Sequence, residues 1–263
     1  ADRREWPTEL PLVRPTDRSG RSPVSADELS PLAAVDPIDH LERAELEVEG
    51  RMPWSSNATF LVTTELDGVQ HRAIYKPVRG ERPLWDFEPG LHRRERAAFL
   101  LSEALRLHVV PPTIIREGPL GTGSLQWFVD ADYREHYFTI HEQRPDLHDR
   151  LRGIAALDFV ANNTDRKSGH CLLATEDVWA IDNGLCFSEE FKLRTVIWDF
   201  AGDPIDPELI SRLRALAERL PVDIAALLSE AECAAVGDRA RELAELGSLP
   251  YDETGRRYPW PLV

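Results

Sequence analysis

The chain has 263 residues, of which 42% are hydrophobic, and a formal net charge of -15 at pH 7. This length and composition suit a globular protein with one large domain or with two lobes that share a cleft. The acidic balance argues against broad binding to nucleic acid, which depends on clustered lysine and arginine. Because no apolar run comes near the roughly 20 residues of a membrane span, we expect no stable membrane anchor.

The N-terminal residues and the cysteines bear on the cellular compartment. The first residues, ADRREWPTEL, lack the apolar core of a secretory signal, so we expect a cytoplasmic protein. Cys171, Cys186 and Cys233 form an odd set that fits reduced thiols better than a disulfide framework. His170 lies beside Cys171, but no C-x-x-C pair accompanies them, which argues against a zinc site.

The first part of the chain predicts an irregular arm followed by a sheet. Residues 1–40 contain six prolines and little periodicity, which is typical of an irregular arm. Strands are then predicted for three segments rich in β-branched and aromatic residues: AELEVEG, ATFLVTTEL and VQHRAIYKPV. Asp67 and Gly68 separate the last two segments, and this dipeptide favours a tight hairpin turn.

A helix and two further strands complete the predicted first lobe, residues 41–130. Alanine and leucine recur at helical spacing over residues 91–107, opposite a charged face, which predicts an amphipathic helix. The two strands are predicted for PPTIIRE and SLQWFVDAD. The first lobe should therefore be a mostly antiparallel sheet with one helix.

The second lobe, residues 131–263, is predicted to be mostly helical. One helix is expected in RPDLHDRLRGIAALDFVAN, and a short hairpin in HCLLAT and VWAID. Residues 207–219 and 222–246 are rich in alanine and leucine and predict helices, with breaks at Pro221 and Gly237. The sequence thus predicts an α+β fold with two lobes.

Four features together match the requirements of phosphoryl transfer, which needs a loop over the phosphates, a cation, carboxylates for a metal and a base. The polar loop SSNATF lies between two predicted strands, and Lys76 ends a strand in a chain with lysine only at 76, 167 and 192. Glu95 lies early in the next helix, where it could hold that lysine. Asp165 follows a helix on a polar loop, and Asp182 follows the apolar strand VWAI.

Each feature alone also has an ordinary structural explanation. Polar hairpin loops are common, a lysine at a strand end can simply be exposed, and aspartates favour turns. The order in which the features follow one another along the chain is what indicates phosphoryl transfer.

From about residue 50 to 190 the sequence resembles the phosphatidylinositol 3- and 4-kinase superfamily, most closely the type II phosphatidylinositol 4-kinases. The resemblance is carried by SSNATFLV, IYKP, ERAAFLLSEALRLHVVPPT, GSLQWFV, LDFVANNTDR and AIDNGLCF. In that family the similar segments are the phosphate-binding loop, the ATP-binding lysine, the regulatory helix, the hinge, the catalytic loop and the metal-binding loop. HipA-type protein kinases share the NTD loop, so the resemblance implies a two-lobed protein-kinase-like fold more firmly than a substrate.

The resemblance also implies roles for individual residues. Lys76 would contact the α- and β-phosphates of ATP, and Glu95 would pair with it. Asp165 would orient or deprotonate the acceptor hydroxyl, and Asp182 would hold the divalent cation. The remaining implied nucleotide contacts are Ser55, Ser56 and Asn57 over the phosphates, and Phe128 and Val129 at the adenine.

Two departures from the family pattern change what is expected. His170 stands where the family has an asparagine metal ligand, and an imidazole favours Mn²⁺ or Zn²⁺ over Mg²⁺. Either the metal preference has shifted or His170 has another role. The connection between Lys76 and Glu95 is short and lacks the cysteine-rich insertion that carries palmitate in the eukaryotic lipid kinases, so attachment by lipidation is not expected.

The predicted function is transfer of the γ-phosphoryl group of ATP, with Mg²⁺ or Mn²⁺, to a hydroxyl of an unidentified lipid, protein or polyol. One alternative is a nucleotide-binding pseudokinase or regulatory module, which His170 favours. Another is a nucleotidyl transferase on the same fold.

The residues after the second aspartate bear on the acceptor. Lys192 and Arg194 could recognise an anionic acceptor, or they could be a solvated pair beside Glu189 and Glu190. Binding to anionic lipid would require an insertion patch formed by Trp198 and Phe200.

Overall fold

The computed structural model describes Leu12 and residues 35–53, 55, 57–84 and 87–262. Most of the predicted arm, residues 1–40, therefore lies outside the described residues, as does Ser56. The chain forms two compact units. The sheet unit consists of the residues up to Arg82 together with Ile114–Phe128, and the helical unit consists of Pro83–Thr113 together with the residues from Val129 onward.

The sheet unit contains one helix and, among the described residues, a single antiparallel sheet. Its elements are α1 (Pro37–Arg43), β1 (Glu45–Arg51), β2 (Phe60–Leu66), β3 (Val69–Pro77), β4 (Thr113–Gly118) and β5 (Gly121–Trp127). The strand order is β1-β2-β3-β5-β4. Neighbouring strands from β1 to β5 in this order pair antiparallel, as the alternating and β-branched sequence segments predict.

The hairpin between β2 and β3 forms at the predicted dipeptide. Leu66 is paired with Val69, so the loop has two residues. Asp67 and Gly68 both have positive φ, 51° and 80°, which is the conformation of the turn that fits the twist of a tight hairpin. The predicted turn is confirmed.

The core of the sheet unit is apolar, with one polar inclusion. Leu41 of α1 packs with Phe60, Tyr75 and Leu125, all nearly or fully buried. Beside this core, His40 is also buried, and its Nε2 lies 2.9 Å from the hydroxyl of Thr64. The ring of His40 meets the ring of His71 at 5.0 Å, and His71 packs on Trp127 at 4.4 Å.

The helical unit contains the remaining elements. These are α2 (Leu91–Ala104), α3 (Tyr137–Gln143), α4 (His148–Ala161), β6 (Cys171–Ala174), β7 (Asp177–Ala180), α5 (Pro207–Glu218), α6 (Val222–Ala225) and α7 (Glu230–Leu246). Strands β6 and β7 form the predicted antiparallel hairpin. No helix in the described part of the chain is both long and apolar enough to cross a membrane.

Helix α2 ends earlier than the pattern over residues 91–107 predicts. Its last residue is Ala104, and Arg106 and His108 both have positive φ, 54° and 51°, which no helix can accommodate. The hydroxyl of Ser102 accepts a hydrogen bond from the backbone N–H of Val109 at 2.9 Å and so holds the turn closed. Leucine spacing continues past the helix because the following turn also packs into the core.

The predicted helix over residues 222–246 is two helices, and the predicted break at Gly237 is wrong. Gly237 lies inside α7, which begins instead at a capping box: the hydroxyl of Ser229 accepts from the N–H of Glu232, and the Glu232 carboxylate accepts from the N–H of Ser229. Gly247 ends α7 with a φ of 66°. With both ends capped, the cost of about 1 kcal/mol for one internal glycine does not break the helix.

Candidate active site

A buried ion pair joins the two predicted catalytic loops. The side chains of Arg166 and Asp158 are 0% and 1% exposed, and Arg166 Nη2 lies 2.9 Å from Asp158 Oδ1. Arg166 Nη2 also donates to Asn183 Oδ1 at 2.6 Å, and Nη1 donates to the carbonyl of Ile181 at 2.7 Å. Burial acts to lower the pKa of Arg166, but the Asp158 carboxylate outweighs it and keeps the guanidinium charged. The network fixes the loop after α4 to the loop after β7.

The end of α4 fixes a third segment. Asn162 caps the helix with a φ of 52°, a conformation that asparagine tolerates. Its side-chain amide donates to the carbonyls of Ser188 and Glu190 at 3.0 and 2.6 Å, and its side-chain oxygen accepts from the N–H of Lys192 at 2.8 Å. Residues 188–192 are therefore held against the start of the loop that carries Asp165.

Asp165 lies next to a lysine to which the sequence patterns gave no role. The ammonium of Lys167 is 2.8 Å from Asp165 Oδ2, and the two side chains are 22% and 23% exposed. The backbone N–H of Asp165 donates to Asn163 Oδ1 at 2.9 Å. The signal for Lys167 was available, because it is one of three lysines and follows the aspartate by two residues.

Arg194 is held next to the Asp165 loop by backbone hydrogen bonds: its N–H donates to the carbonyl of Asn163 at 2.8 Å, and its carbonyl accepts from the N–H of Arg166 at 3.0 Å. Arg166 and Thr195 form a parallel bridge, and both side chains hydrogen-bond to Asp158. Neighbouring residues of an extended chain face opposite sides. Arg194, one position before Thr195, therefore faces away from Asp158, and it is exposed.

The predicted metal ligands His170 and Asp182 are neighbours. His170 Nε2 lies 3.5 Å from Asp182 Oδ2, and the side chains are 15% and 52% exposed. His170 Nδ1 accepts a long hydrogen bond of 3.4 Å from the N–H of Lys167. Burial lowers the pKa of His170, and the carboxylate of Asp182 opposes that shift only in part. The imidazole is therefore neutral at pH 7, which is the form that binds metals.

The described residues around this pair do not form a closed metal cage. Magnesium in nucleotide sites is bound by one or two carboxylates together with substrate phosphates and water, not by a closed protein cage. The described residues contain no group of three or more histidines, cysteines, aspartates or glutamates placed to hold a metal. Burial raises the pKa of Cys171 to about 12 and that of Cys186 well above its usual value, so neither thiol is a ready ligand.

Glu95 of α2 is directed to the loop that carries Asp182. It is 3% exposed, and its Oε2 accepts a hydrogen bond of 3.1 Å from the backbone N–H of Asn183. A Cβ placed on Gly184 would lie 3.4 Å from Glu95 Oε1, so the helix approaches this loop closely. Its predicted pairing with Lys76, which lies in the sheet unit, stays a prediction.

The predicted phosphate-binding loop is pinned within the sheet unit. The hydroxyls of Ser55 and Thr59 are 2.7 Å apart, and the side-chain oxygen of Asn57 accepts from the N–H of Arg82 at 3.0 Å. A Cβ on Gly80 would lie 2.5 Å from the Cβ of Ala58, so only glycine fits there without displacement. The loop is thus packed on the turn that follows β3.

The other predicted nucleotide contacts lie at strand ends. Lys76 is on β3 and is paired with Ser124 of β5. The N–H of Phe128 donates to the carbonyl of Arg72 at 3.1 Å, so Phe128 continues the line of β5. The Val129 carbonyl accepts from the N–H of Ala131 at 3.0 Å.

The lipid-insertion patch that Trp198 and Phe200 would have to form is not present. Phe200 is 3% exposed and packs against the stacked rings of His141 and His148. Trp198 is half-buried, and its indole N–H donates to the carbonyl of Arg257 at 3.1 Å. Both aromatic side chains therefore serve the packing of the helical unit.

Residues 256–262 run along the same loops. The carbonyl of Arg257 accepts from the backbone N–H of Thr195 at 3.1 Å. The carbonyl of Leu262 accepts from the N–H of Ser168 at 2.8 Å, three positions after Asp165. A distant part of the chain thus completes the hydrogen bonds of the candidate site.

Solved structures were found that are similar to this chain. The structure of hydra Fam20 with sugar matches with a TM-score of 0.50 and 13% identity, over 80% of this chain and 86% of that chain. The Golgi casein kinase with Mn/ADP bound gives 0.49 and 14%, over 83% and 77%. The Helicobacter pylori proinflammatory kinase CtkA gives 0.43 and 12%, over 79% and 94%. At such low identity the likeness concerns the fold alone. The comparison of folds rests on the hydra structure, whose TM-score is 0.50.

The chain therefore has an α+β, two-lobed protein-kinase-like fold, and the predicted fold class is confirmed. No protein-family model matches it. Protein Rv2133c of Mycobacterium tuberculosis (strain ATCC 25618 / H37Rv) is 38% identical, and the match covers 84% of this chain and 93% of that protein. The chain belongs to the family of Rv2133c.

Proposed function

We propose that this protein is an ATP-dependent phosphotransferase that transfers the γ-phosphoryl group to a hydroxyl. The observation that supports this most directly is the buried network of Asp158, Arg166 and Asn183, which holds the loops of Asp165 and Asp182 in one frame. Phosphoryl transfer depends on positioning and on electrostatic stabilisation more than on covalent chemistry, so a rigid frame of this kind is what the reaction requires.

In this proposal Asp165 acts on the acceptor and Lys167 supports it. Asp165 accepts the proton of the acceptor hydroxyl as that oxygen forms a bond to the γ-phosphorus. The bond from the γ-phosphorus to the bridging oxygen of the β-phosphate breaks, and ADP leaves. Lys167, 2.8 Å from the carboxylate, keeps Asp165 oriented and places positive charge where the phosphoryl oxygens pass.

Asp182 would hold a divalent cation, Mg²⁺ or Mn²⁺, with His170 as its neighbour. Such an ion, when bound, neutralises charge on the phosphate oxygens. Because His170 contributes a nitrogen donor, the chemistry of the pair favours Mn²⁺ over Mg²⁺.

The remaining predicted contacts would bind the nucleotide. Lys76 would meet the α- and β-phosphates, with Glu95 as its partner. The carbonyl of Val129 already accepts from Ala131, so we assign its own N–H to the adenine. The other residues of this group are Ser55, Ser56 and Asn57 at the phosphates and Phe128 at the base.

Arg194 is the best candidate to recognise the acceptor. It is exposed, its backbone is hydrogen-bonded to Asn163 and to Arg166 on the Asp165 loop, and it carries a charge opposite to that of the protein as a whole. Lys192 is less suited, because its ammonium lies 3.3 Å from Glu190 and 5.7 Å from the centre of the Phe87 ring. An anionic acceptor, such as a phosphorylated head group or an acidic peptide, fits this arrangement. Phosphatidylinositol is one member of that class.

The test is an acceptor screen with γ-labelled ATP and either Mg²⁺ or Mn²⁺. Its three arms are phosphatidylinositol vesicles, casein and free inositol. Asp165→Asn should lower turnover by about 10²- to 10⁴-fold while ATP affinity is kept. Asp149→Asn is the matched control, because that side chain is 97% exposed on the same unit and should leave the rate unchanged.

The outcomes separate the proposal from its alternatives. Turnover of Asp165→Asn within a few-fold of wild type would show that this loop is not catalytic. Stabilisation by ATP and metal without any turnover would indicate a pseudokinase, and a product that gains AMP would indicate nucleotidyl transfer. In the arm that is active, Arg194→Ala should raise the acceptor KM by about tenfold or more and leave the ATP KM unchanged.

A further inference from the structure

Helix α7 is tied to α2 by an ion pair that the proposed chemistry does not use. Arg94 Nη2 lies 2.5 Å from Glu232 Oε1, and the side chains are 8% and 14% exposed. The other terminal nitrogen of the same guanidinium group, Nη1, donates to the carbonyl of Glu88 at 3.2 Å. Glu232 Oε2 accepts from the N–H of Ser229 at 2.8 Å, so one carboxylate both starts α7 and binds α2.

The residue after Arg94 is Glu95, whose carboxylate holds the N–H of Asn183. Asn183 follows Asp182 directly and is bonded to Arg166 on its other side. A chain of contacts therefore runs from α7 through Glu232, Arg94 and Glu95 to the loop of the proposed metal ligand. All of these residues belong to the helical unit.

The Arg94–Glu232 pair contributes more to the position of α2 than to the stability of the protein. A largely buried ion pair gains little net stability, because the desolvation of both charges offsets their attraction. Arg94 Nε is moreover buried without a hydrogen-bond partner among the described residues, which adds a further cost. What the pair does provide is a fixed rotation and register of α2, since the charges must meet in one geometry.

We infer that Arg94 and Glu232 are positioning residues that hold α2 so that Glu95 orients the Asp182 loop for phosphoryl transfer. This inference rests on the proposed function for its effect on rate. The effect of the two residues on the Asp182 loop can be measured without any activity. Neither residue is assigned a contact with substrate.

The kinetic test compares three variants: Arg94→Gln, Glu232→Gln and the double variant. Each single variant leaves one buried charge unpaired, so each should lower both Tm and kcat. The double variant removes both charges, so its Tm should recover toward wild type. Its kcat should stay lower than wild type by about tenfold or more, because α2 has lost its fixed register. A kcat that recovers together with Tm would reduce the pair to a structural role and overturn the inference.

Amide hydrogen exchange gives a second readout that needs no activity. In the double variant the N–H of Asn183 should exchange at least several-fold faster than in wild type, because its acceptor on Glu95 is no longer held in place. Val236→Ala is the matched control, since it removes buried packing from α7 and leaves the pair intact. It should lower Tm without a selective change at Asn183.

The two readouts keep this inference separate from the proposed function. If wild type transfers no phosphoryl group, the proposed function fails, but a selective change at Asn183 would still support the positioning role. If exchange at Asn183 in the double variant matches that in Val236→Ala, the inference is wrong whatever the activity.

Discussion

The sheet unit buries apolar side chains around Leu41, Phe60 and Tyr75, whereas the helical unit buries the charges of Asp158 and Arg166 beneath its proposed catalytic loops. In an apolar core the loss of stability grows with the apolar volume removed and with the cavity that remains. A buried ion network responds abruptly, because the loss of one partner leaves the other charge desolvated and unpaired. The unit that carries the proposed acid–base chemistry is therefore also the less tolerant one.

The largest effect is expected from Arg166→Met, which leaves the Asp158 carboxylate buried without its partner. The free energy of unfolding should fall by about 3–5 kcal/mol, measured by urea denaturation. Arg212→Met is the matched control, since Arg212 forms an (i, i+4) pair with a 78% exposed glutamate, and such pairs contribute about 0.3–0.5 kcal/mol. Equal losses in the two variants would show that the buried ion pair is no more sensitive to the loss of a partner than an exposed one.

A smaller effect is expected in the sheet unit from Gly80→Ala. The added Cβ would lie 2.5 Å from the Cβ of Ala58, so the phosphate-binding loop must shift, at a cost of about 1–3 kcal/mol. Affinity for ATP should fall as well. Gly237→Ala in α7 is the opposite case, because its Cβ would lie 3.6 Å from the nearest atom, the carbonyl oxygen of Ala217. That variant should gain up to about 1 kcal/mol.

The smallest effect concerns the polar inclusion beside the apolar core. Burial, assisted by the neighbouring His40, lowers the pKa of His71 below its usual value of 6.5. The unfolded chain therefore takes up a proton before the folded one as the pH falls. The free energy of unfolding should decrease from pH 6.5 down to the lowered pKa, where the difference is complete.

The measurement is the denaturation midpoint of wild type and His71→Gln at pH 7.5 and pH 5.5. The wild-type midpoint should fall more than that of the variant between the two values. His108→Gln serves as the control, because that side chain is 59% exposed. Identical pH dependence in wild type and His71→Gln would show that His71 titrates alike in both states.

Local signals in the sequence were enough to predict most of the elements. The Asp67-Gly68 turn needs two residues of positive φ, a requirement that the dipeptide itself displays. The apolar run before Asp182 predicted strand β7 and the loop that follows it. The sequence also paired His170 with Asp182, and the structure places these side chains 3.5 Å apart, although their role as metal ligands stays a prediction.

The connections between distant residues could not be predicted in this way. Arg166 meets Asn183 and Arg94 meets Glu232 only after folding, and no periodicity marks either pair. The predicted break at Gly237 was wrong for a related reason, since propensity is a local quantity and the caps at Ser229 and Gly247 determined the helix. Hydrophobic patterns report which side of an element is buried, but they do not report which charges are buried together.

The hydrogen bond from Ser168 to Leu262 also has a consequence for biosynthesis. A ribosome releases the catalytic loop long before it releases residues 256–262, because a chain is made from its N-terminus at about 5–20 residues per second. The sheet unit is complete by Phe128 and can fold while translation continues. The loop that carries Asp165 must wait for its last partners. A nascent chain is thus expected to form its sheet unit before the loop that carries Asp165 has all of its hydrogen bonds.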